Sequence, residues 1–532
     1  MKILGIQGGS HSCGIAGMNN GKIVFSFEEE RFNRIRAYKD FYKDFFRYPL
    51  ESSKNLHKFD FNLEDVDYIT SHHQLHVMKD MWKSISSLPF PEEKYILTNH
   101  HDAHCNLAYF TSGFEEDTLV ISLDASGETH SNKVYLGSNG NMEYIDGIDL
   151  SHKSLGHYYS MLTEFLGFKR LKDEGKIVGR ASHGSFNPRY YNVFNNCVKV
   201  ENGKTDKDNG KVFLGGIYED FYKLFFEYVG SKFFSHQKDD IAYTGQLVFE
   251  EKILQLIDYY HNLYPQVKKV ALVGGVFANV KLNKRINDLE WIDEVFVAPP
   301  MGDEGIALGA CLAVHKKFHP EFKPFKLNDV FLGTEYPDNE FTFDESKFSK
   351  RPYNKEQLAY DLKEGKVVGW FQGRYEHGPR ALCNRSIIAD PSVPGTYKKV
   401  NDRLQRNDFM PFAPVVIDKH ANDVFNVTKS HYTAEFMTML YDTREEWHDK
   451  IPAVVHPIDK TARIQIVTEK SNPKFYELIN KFNDITNIPV LMNTSFNVHG
   501  EPIVCHPKEG FVHLDNGIVD ILVVNNYVYT KK

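Results

Sequence analysis

The sequence lacks several features that would settle its class at once. No stretch reaches the roughly 18 consecutive apolar residues of a membrane span. The N-terminal "MKILGIQGGSHS" is interrupted by glycine before a signal-like apolar core can form. Six cysteines (Cys13, Cys105, Cys197, Cys311, Cys383 and Cys505) are scattered without paired spacing. That pattern argues against a disulfide framework and against a thiolate zinc site. No long run of Lys or Arg occurs, and the formal net charge is -8, so broad attraction to a phosphate backbone is not indicated. The expectation is a reduced, cytoplasmic protein without a membrane segment.

What is present reads as ordinary globular composition, with 42% hydrophobic and 25% charged residues. At 532 residues the chain is long for one core, since cores stop growing at roughly 250–300 residues. Two or more domains are expected.

Histidine is the first chemical signal. "NHHDAHCNLAYF" (99–110) sets His100 and His104 four apart, a spacing that on a helix directs both rings to one face, where they can share an ion. Crowding alone does not establish this, because "SHHQLH" (71–76) is just as dense among 24 histidines.

Next comes an internal repeat. "KILGIQ", "GGSHS", a second apolar run, the turn "NNG" and "KIVFSFEEE" give strand, polar loop, strand, tight turn, strand. The same grammar returns in "TLVISLD", "ASGETHS", "NKVYLG", "SNGN" and "MEYIDGI". Two such halves describe an actin-like or sugar-kinase-like ATPase, in which small-residue loops approach nucleotide phosphates. The candidate loops are 8–12 and 124–128.

"VALVGGVFANVKLNKRI" reads as strand, Gly274-Gly275 turn and helix, with Asn279 and Asn283 as polar contacts or simply as an ordinary strand-to-helix turn. "APPMGDEGIALGACLAV" places Asp303 and Glu304 where a helix dipole favours acids; Asp303 is equally suited to complete a site begun by His100 and His104.

The character changes after about residue 336, and a boundary is placed at 336–344. Beyond it, "GRYEHGPRALCNRSIIAD" carries Arg380 and Arg385, "NDRLQRNDFMPFAP" carries Arg403 and Arg406, "KTARIQIV" carries Arg463, and "LMNTSFNVHGEPIV" carries Ser495. Guanidinium forks with hydroxyl and amide donors fit an anionic small molecule; a solvated basic face is the alternative.

With these motifs, in this order and together with "EEERF", "LDASGE", "EGKIVG" and "GDEGIALGA", the chain resembles the NodU/CmcH family of O-carbamoyltransferases, which includes nodulation-factor, cephalosporin and tobramycin carbamoyltransferases. The resemblance implies an α/β fold: an N-terminal ASKHA domain (a duplicated RNase H-like, actin-like ATPase unit) over residues 1–340, then a YrdC-like domain over 345–532. It implies that carbamoyl phosphate and magnesium-bound ATP form carbamoyl-adenylate in the second domain. The first then passes the carbamoyl group to a hydroxyl of a small molecule or modified nucleoside.

By the same resemblance, iron(II) or another divalent metal is held by His100, His104, Asp124 and Asp303. His11, Arg380, Arg463 and Ser495 are the implied catalytic residues, with His11 as base. Gly127, Glu128, Lys176, Gly275, Asn279 and Arg406 are the implied cofactor contacts.

Departures from the family pattern are Ser12 for Asp, Gln405 and Met410 for Lys and Arg, Cys383 for Gly, and "ASHG" (181–184) for "APYG". They motivate a second reading, a nucleotide-binding regulator of the same fold without catalysis. A third is a carbamoyl donor enzyme for a macromolecular acceptor.

Overall fold

The computed structural model describes residues 1–8, 12–36, 50–73, 75–208, 222–230, 237–406 and 410–532. His11 lies outside them. Among the described residues no helix is long and apolar enough to cross a membrane.

The two copies of the sequence repeat fold into two separate sheets of the same design. The first contains β1 (Lys2–Gly8), β2 (Cys13–Asn19), β3 (Lys22–Glu28), β4 (Tyr68–Ser71) and β5 (Tyr95–Leu97), in the order β3-β2-β1-β4-β5. The second contains β6 (Thr118–Leu123), β7 (His130–Ser138) and β8 (Asn141–Asp149), followed after the short ribbon of β9 (Val200–Glu201) and β10 (Lys204–Thr205) by β11 (Lys269–Val273) and β12 (Glu294–Val297). Its order is β12-β11-β6-β7-β8.

In each sheet the first three strands are antiparallel neighbours, and the last two join the first strand in parallel. The shared order and polarity are those of a duplicated RNase H-like fold. The two hairpins are closed by the same chemistry. Asn20 and Gly21 have φ of 47° and 78°, and Asn139 and Gly140 have 50° and 86°, the two positive-φ positions of a type I′ turn that Asn-Gly tolerates.

The remaining large sheet has eight strands: β13 (Phe348–Pro352), β14 (Val368–Phe371), β15 (Arg385–Ala389), β16 (Ala413–Ile417), β19 (Gln465–Val467), β20 (Val490–Ser495), β21 (Ile521–Val524) and β22 (Tyr527–Lys531). The order is β13-β22-β21-β14-β15-β20-β16-β19, and β17 (Tyr441–Asp442) with β18 (Thr461–Ala462) forms a separate ribbon. Trp370, Ile388, Val415 and Leu491 from this sheet pack on Leu358 and Leu362 of the helix Lys355–Lys363 and on Phe475, Leu478 and Phe482 of the helix Pro473–Thr486. This mixed α/β sheet lies in the segment that the family resemblance implies is YrdC-like.

Sheet membership changes near residue 345, whereas the compact units divide otherwise. One is Met1–Leu97 with Leu327–Lys532, and the other is Thr98–Lys326. The reason is visible in the core of the first unit, where Leu4, Ile6, Ile15, Phe25, Phe27 and Ile69 of the first sheet bury Tyr375 and Cys505 from the C-terminal segment.

Candidate metal centre and anion pocket

Within the unit Thr98–Lys326, the helix His100–Ser112 begins at Asn99, whose Oδ1 accepts the His101 N–H at 3.1 Å. Glu128 Oε2 accepts the His100 N–H, also at 3.1 Å, and the Asn99 side-chain amide. These bonds satisfy donors that a helix start leaves unpaired. They also fix the rotation of the helix, so that His100 and His104 share one face. His101 faces elsewhere: its Nε2 donates to the His130 carbonyl at 2.8 Å, and its Nδ1 lies 3.0 Å from Ser122 Oγ.

Opposite the two rings stand Asp124, just past β6, and Asp303, which opens the turn before the helix Ile306–Phe318. The latter helix lies close on the histidine helix because of Gly309, where a Cβ would fall 2.0 Å from the Ala103 carbonyl oxygen. His104 Nε2 is 3.5 Å from both Asp124 Oδ2 and Asp303 Oδ1; His100 Nε2 is 4.0 and 3.6 Å from the same atoms.

One ligand atom from each of the four residues falls within 4.8 Å of the others. Metal bonds of about 2.0–2.2 Å place adjacent ligands about 3.0–3.5 Å apart and opposite ones about 4.2 Å apart, so these spacings suit one ion with slight contraction. The set His, His, Asp, Asp suits iron(II), manganese or zinc.

The electrostatics agree. Burial disfavours charge on His104, but Asp124 and Asp303 outweigh it and push the ring up to about 9. Burial lowers His100. Two half-buried carboxylates thus favour a positive charge between them, which a proton on His104 or a divalent ion supplies. Asp124 is oriented by the backbone: Ala125 N–H donates to Oδ1 at 2.7 Å and Gly275 N–H to Oδ2 at 3.1 Å.

The other cofactor candidates in this unit separate. Gly275 abuts Asp124, with its missing Cβ 3.2 Å from Oδ1, and Gly127 is required by packing, since a Cβ would meet the His101 ring at 2.9 Å. Glu128 caps the histidine helix. Asn279 caps the helix Val280–Asn287 and pairs its amide with that of Gln246, at 3.0 and 3.2 Å. Lys176 pairs with Asp173 at 3.1 Å. Gln246 was missed in the sequence because it lies inside the helix Lys238–Leu263 with no local signal around it.

The arginines belong to the other unit. There the helix Thr396–Arg403 ends in a left-handed turn, with Gln405 at φ 55°, its N–H bonded to the Asp402 carbonyl and the Arg406 N–H to that of Asn401. This Schellman geometry leaves Gln405 exposed and carries Arg406 to β20. Its Nη1 donates to Thr494 Oγ1 at 2.8 Å and its Nη2 to Ser495 Oγ at 3.0 Å. Burial and the neighbouring Arg380 and Arg406 hold Arg463 well below its ordinary range.

Arg380 rides on a pinned loop. Arg31 Nη2 donates to the Gly378 carbonyl at 2.8 Å while Arg31 pairs with Glu28 at 2.8 Å, and Glu28 accepts the Gly378 N–H. Glu376 Oε1 accepts the backbone N–H of Leu382 and Arg385 at 2.6 and 3.2 Å.

Two candidate anion ligands are corrected. Arg385 is buried and donates to the carbonyls of Gln372, Gly373 and Asn384, with its guanidinium 3.5 Å from the Phe371 ring centroid. Arg403 pairs with Asp520 at 2.9 Å. Both are structural arginines, Arg385 spent on nearby backbone carbonyls and Arg403 on a carboxylate distant in sequence.

Comparison with known proteins identifies the family. Residues 90–312 match the carbamoyltransferase N-terminus family and residues 359–531 the carbamoyltransferase C-terminus family. An uncharacterized Methanocaldococcus jannaschii protein, MJ1051, is 31% identical over 551 aligned residues that cover 99% of each chain. Nodulation protein NolO of Bradyrhizobium diazoefficiens is 30% identical across 82% of this chain and 79% of its own. The 3'-hydroxymethylcephem-O-carbamoyltransferase of Amycolatopsis lactamdurans is 33% identical across 50% of each. The chain belongs to the NodU/CmcH family of carbamoyltransferases, and it is an enzyme of carbamoyl transfer.

Proposed function

We propose that the chain is an ATP-dependent O-carbamoyltransferase that activates its donor as carbamoyl-adenylate before transferring it to a hydroxyl group. The observation that carries this reading is the gathering of Arg380, Arg406 and Arg463, close enough that the first two act on the third, with Arg406 bonded to Ser495. Cations held together against their own repulsion are what a polyanionic substrate pair requires. Carbamoyl phosphate and ATP are such a pair.

In the first step, water cleaves carbamoyl phosphate to carbamate and inorganic phosphate. A carbamate oxygen then attacks the α-phosphorus of ATP, and pyrophosphate leaves with the bonding electrons. Arg380, Arg463 and Ser495 orient the donor, and Arg406 braces Ser495 and adds charge. Together they offset the repulsion between anions and hold the attack in line.

In the second step the acceptor hydroxyl attacks the carbamoyl carbon, the C–O bond to AMP breaks, and the hydroxyl proton is assigned to His11, whose ordinary titration near neutrality suits a base. His100, His104, Asp124 and Asp303 would hold a divalent ion, iron(II) by family resemblance, which supplies Lewis-acid polarisation of a carbonyl or hydroxyl oxygen. Gly275 and Ala125 keep Asp124 in place through their N–H groups. A hydroxylated small molecule or modified nucleoside is the proposed acceptor.

Radiolabelled carbamoyl phosphate supplied with ATP, magnesium and a panel of sugars and hydroxymethyl nucleosides tests the reading. A labelled carbamate ester formed one-for-one with AMP supports it. Accumulation of ADP in place of AMP would contradict the adenylate route.

A further inference from the structure

Asn493 lies on β20, two residues before Ser495, so the two side chains leave the strand on the same face. Leu491, two residues earlier still, sits on that face in the hydrophobic core. The face therefore runs from core, through Asn493, to the hydroxyl that meets Arg406. Asn493 is 1% exposed.

Its amide is tied to the two segments that carry Arg380 and Arg463. Nδ2 donates to the Ala381 carbonyl at 3.0 Å, next in sequence to Arg380, and to Gln465 Oε1 at 2.8 Å, two residues past Arg463. Cys383 Sγ, which itself lies 3.1 Å from Gln465 Oε1, is 3.5 Å from the same nitrogen. With acceptors gathered around one end of the amide, its orientation is fixed: nitrogen toward Ala381 and Gln465, oxygen away from them. That oxygen, Oδ1, is buried without a partner among the described residues. Buried acceptors are rarely left unpaired.

A lone buried acceptor on the strand face that leads to Ser495 is out of place for an anion alone, since phosphate oxygens bring only further acceptors. Carbamoyl phosphate has one N–H donor group, its NH2. We propose that Asn493 Oδ1 accepts a hydrogen bond from the carbamoyl NH2 and is the residue that selects a carbamoyl donor over an acyl phosphate of the same size. Resting on the donor-pocket reading above, the inference names what that pocket reads besides charge. Asn493 is a specificity-determining residue; the arginines hold the phosphate, and the amide oxygen identifies the other end.

The test uses two stable isosteres that differ only at that end. Phosphonoacetamide presents an NH2 where acetonylphosphonate presents a methyl group. Calorimetric titration of the full chain with each is expected to show tighter binding of the amide by about 5- to 150-fold, the range of one buried hydrogen bond left unmade. Asn493→Leu removes the acceptor. It is expected to bring the two affinities within about threefold of each other, chiefly by weakening the amide. Asn493→Asp keeps an acceptor oxygen and is expected to keep the amide preference.

Equal binding of both compounds by the unaltered chain overturns the inference and leaves the anion pocket standing. Equal weakening of both by Asn493→Leu also overturns it, in favour of a packing role. If neither compound binds, nor pyrophosphate, the pocket reading itself fails. Should the leucine variant not fold, the preference of the unaltered chain still decides the matter.

Discussion

Arg406 Nη2 donates to Ser495 Oγ at 3.0 Å, joining a residue just beyond a helix end to the last residue of β20. The bond exists because Gln405 turns the chain through a left-handed conformation. It places a guanidinium beside a serine that would otherwise meet the donor without this bracing cation. In the family pattern the departures Gln405 and Met410 remove two cations nearby, and Arg406 supplies one from the adjoining position. Arg406→Ala is expected to raise KM for carbamoyl phosphate about ten- to a hundredfold, measured by steady-state pyrophosphate release, with a smaller change in KM for ATP.

Gln405 itself is predicted to be dispensable for charge. Its φ of 55° is favourable for glycine and unfavourable for a residue with a Cβ. Gln405→Gly should therefore stabilise the chain by about 0.5–1 kcal/mol, read as a higher denaturant midpoint, without raising KM for the donor.

Arg31 and Glu28 form a buried pair that holds Gly378, two residues before Arg380. Arg31→Met leaves Glu28 buried and uncompensated and is expected to destabilise the unit by about 3–5 kcal/mol. Metal content of the other unit, measured on the soluble fraction, should be unchanged.

The metal set is tested by elemental analysis. His104→Ala is expected to cut the bound divalent metal to below about a tenth of the unaltered chain's, whereas His101→Gln should retain it, because the His101 nitrogens serve Ser122 and His130. Equal losses in both variants would mean that the histidine cluster is a packing feature.

Acid stability depends on His506. Burial, with Lys508 and Lys58 nearby, lowers this ring to about 4 from an ordinary value near 6.5, and its Nδ1 must be unprotonated to accept the Lys508 N–H at 3.1 Å. Between those values the unfolded chain binds more protons than the folded one. Stability from this group is thus complete above pH 6.5 and is lost as pH falls to about 4. His506→Asn, which can still cap the helix Pro507–Asp515, should flatten that part of the thermal-melting profile against pH.

Parts of this structure were legible from local chemistry. Asn20-Gly21 and Asn139-Gly140 announce type I′ hairpins because only such residues accept two positive φ values, and the two hairpins exposed the duplication. His100 and His104 were legible as a pair because helical periodicity is local. Whether Asp303 joined them was not, since the two helices meet through Gly309 only in three dimensions. Arg380 and Arg385 are five apart and chemically identical in the sequence. One borders the proposed anion pocket and the other is consumed by backbone carbonyls, a distinction made by β14, β15 and the residues folded over them. Asn493 reads as an ordinary strand residue until its amide partners, more than a hundred residues away for Ala381, are known.

Pyrophosphate release from ATP and magnesium, with and without carbamoyl phosphate and with no acceptor present, tests the central claim most directly. The account predicts release that requires carbamoyl phosphate and disappears in Arg380→Ala. Absence of release under both conditions, from metal-replete protein that binds ATP, would contradict it and favour the non-catalytic regulator of the same fold.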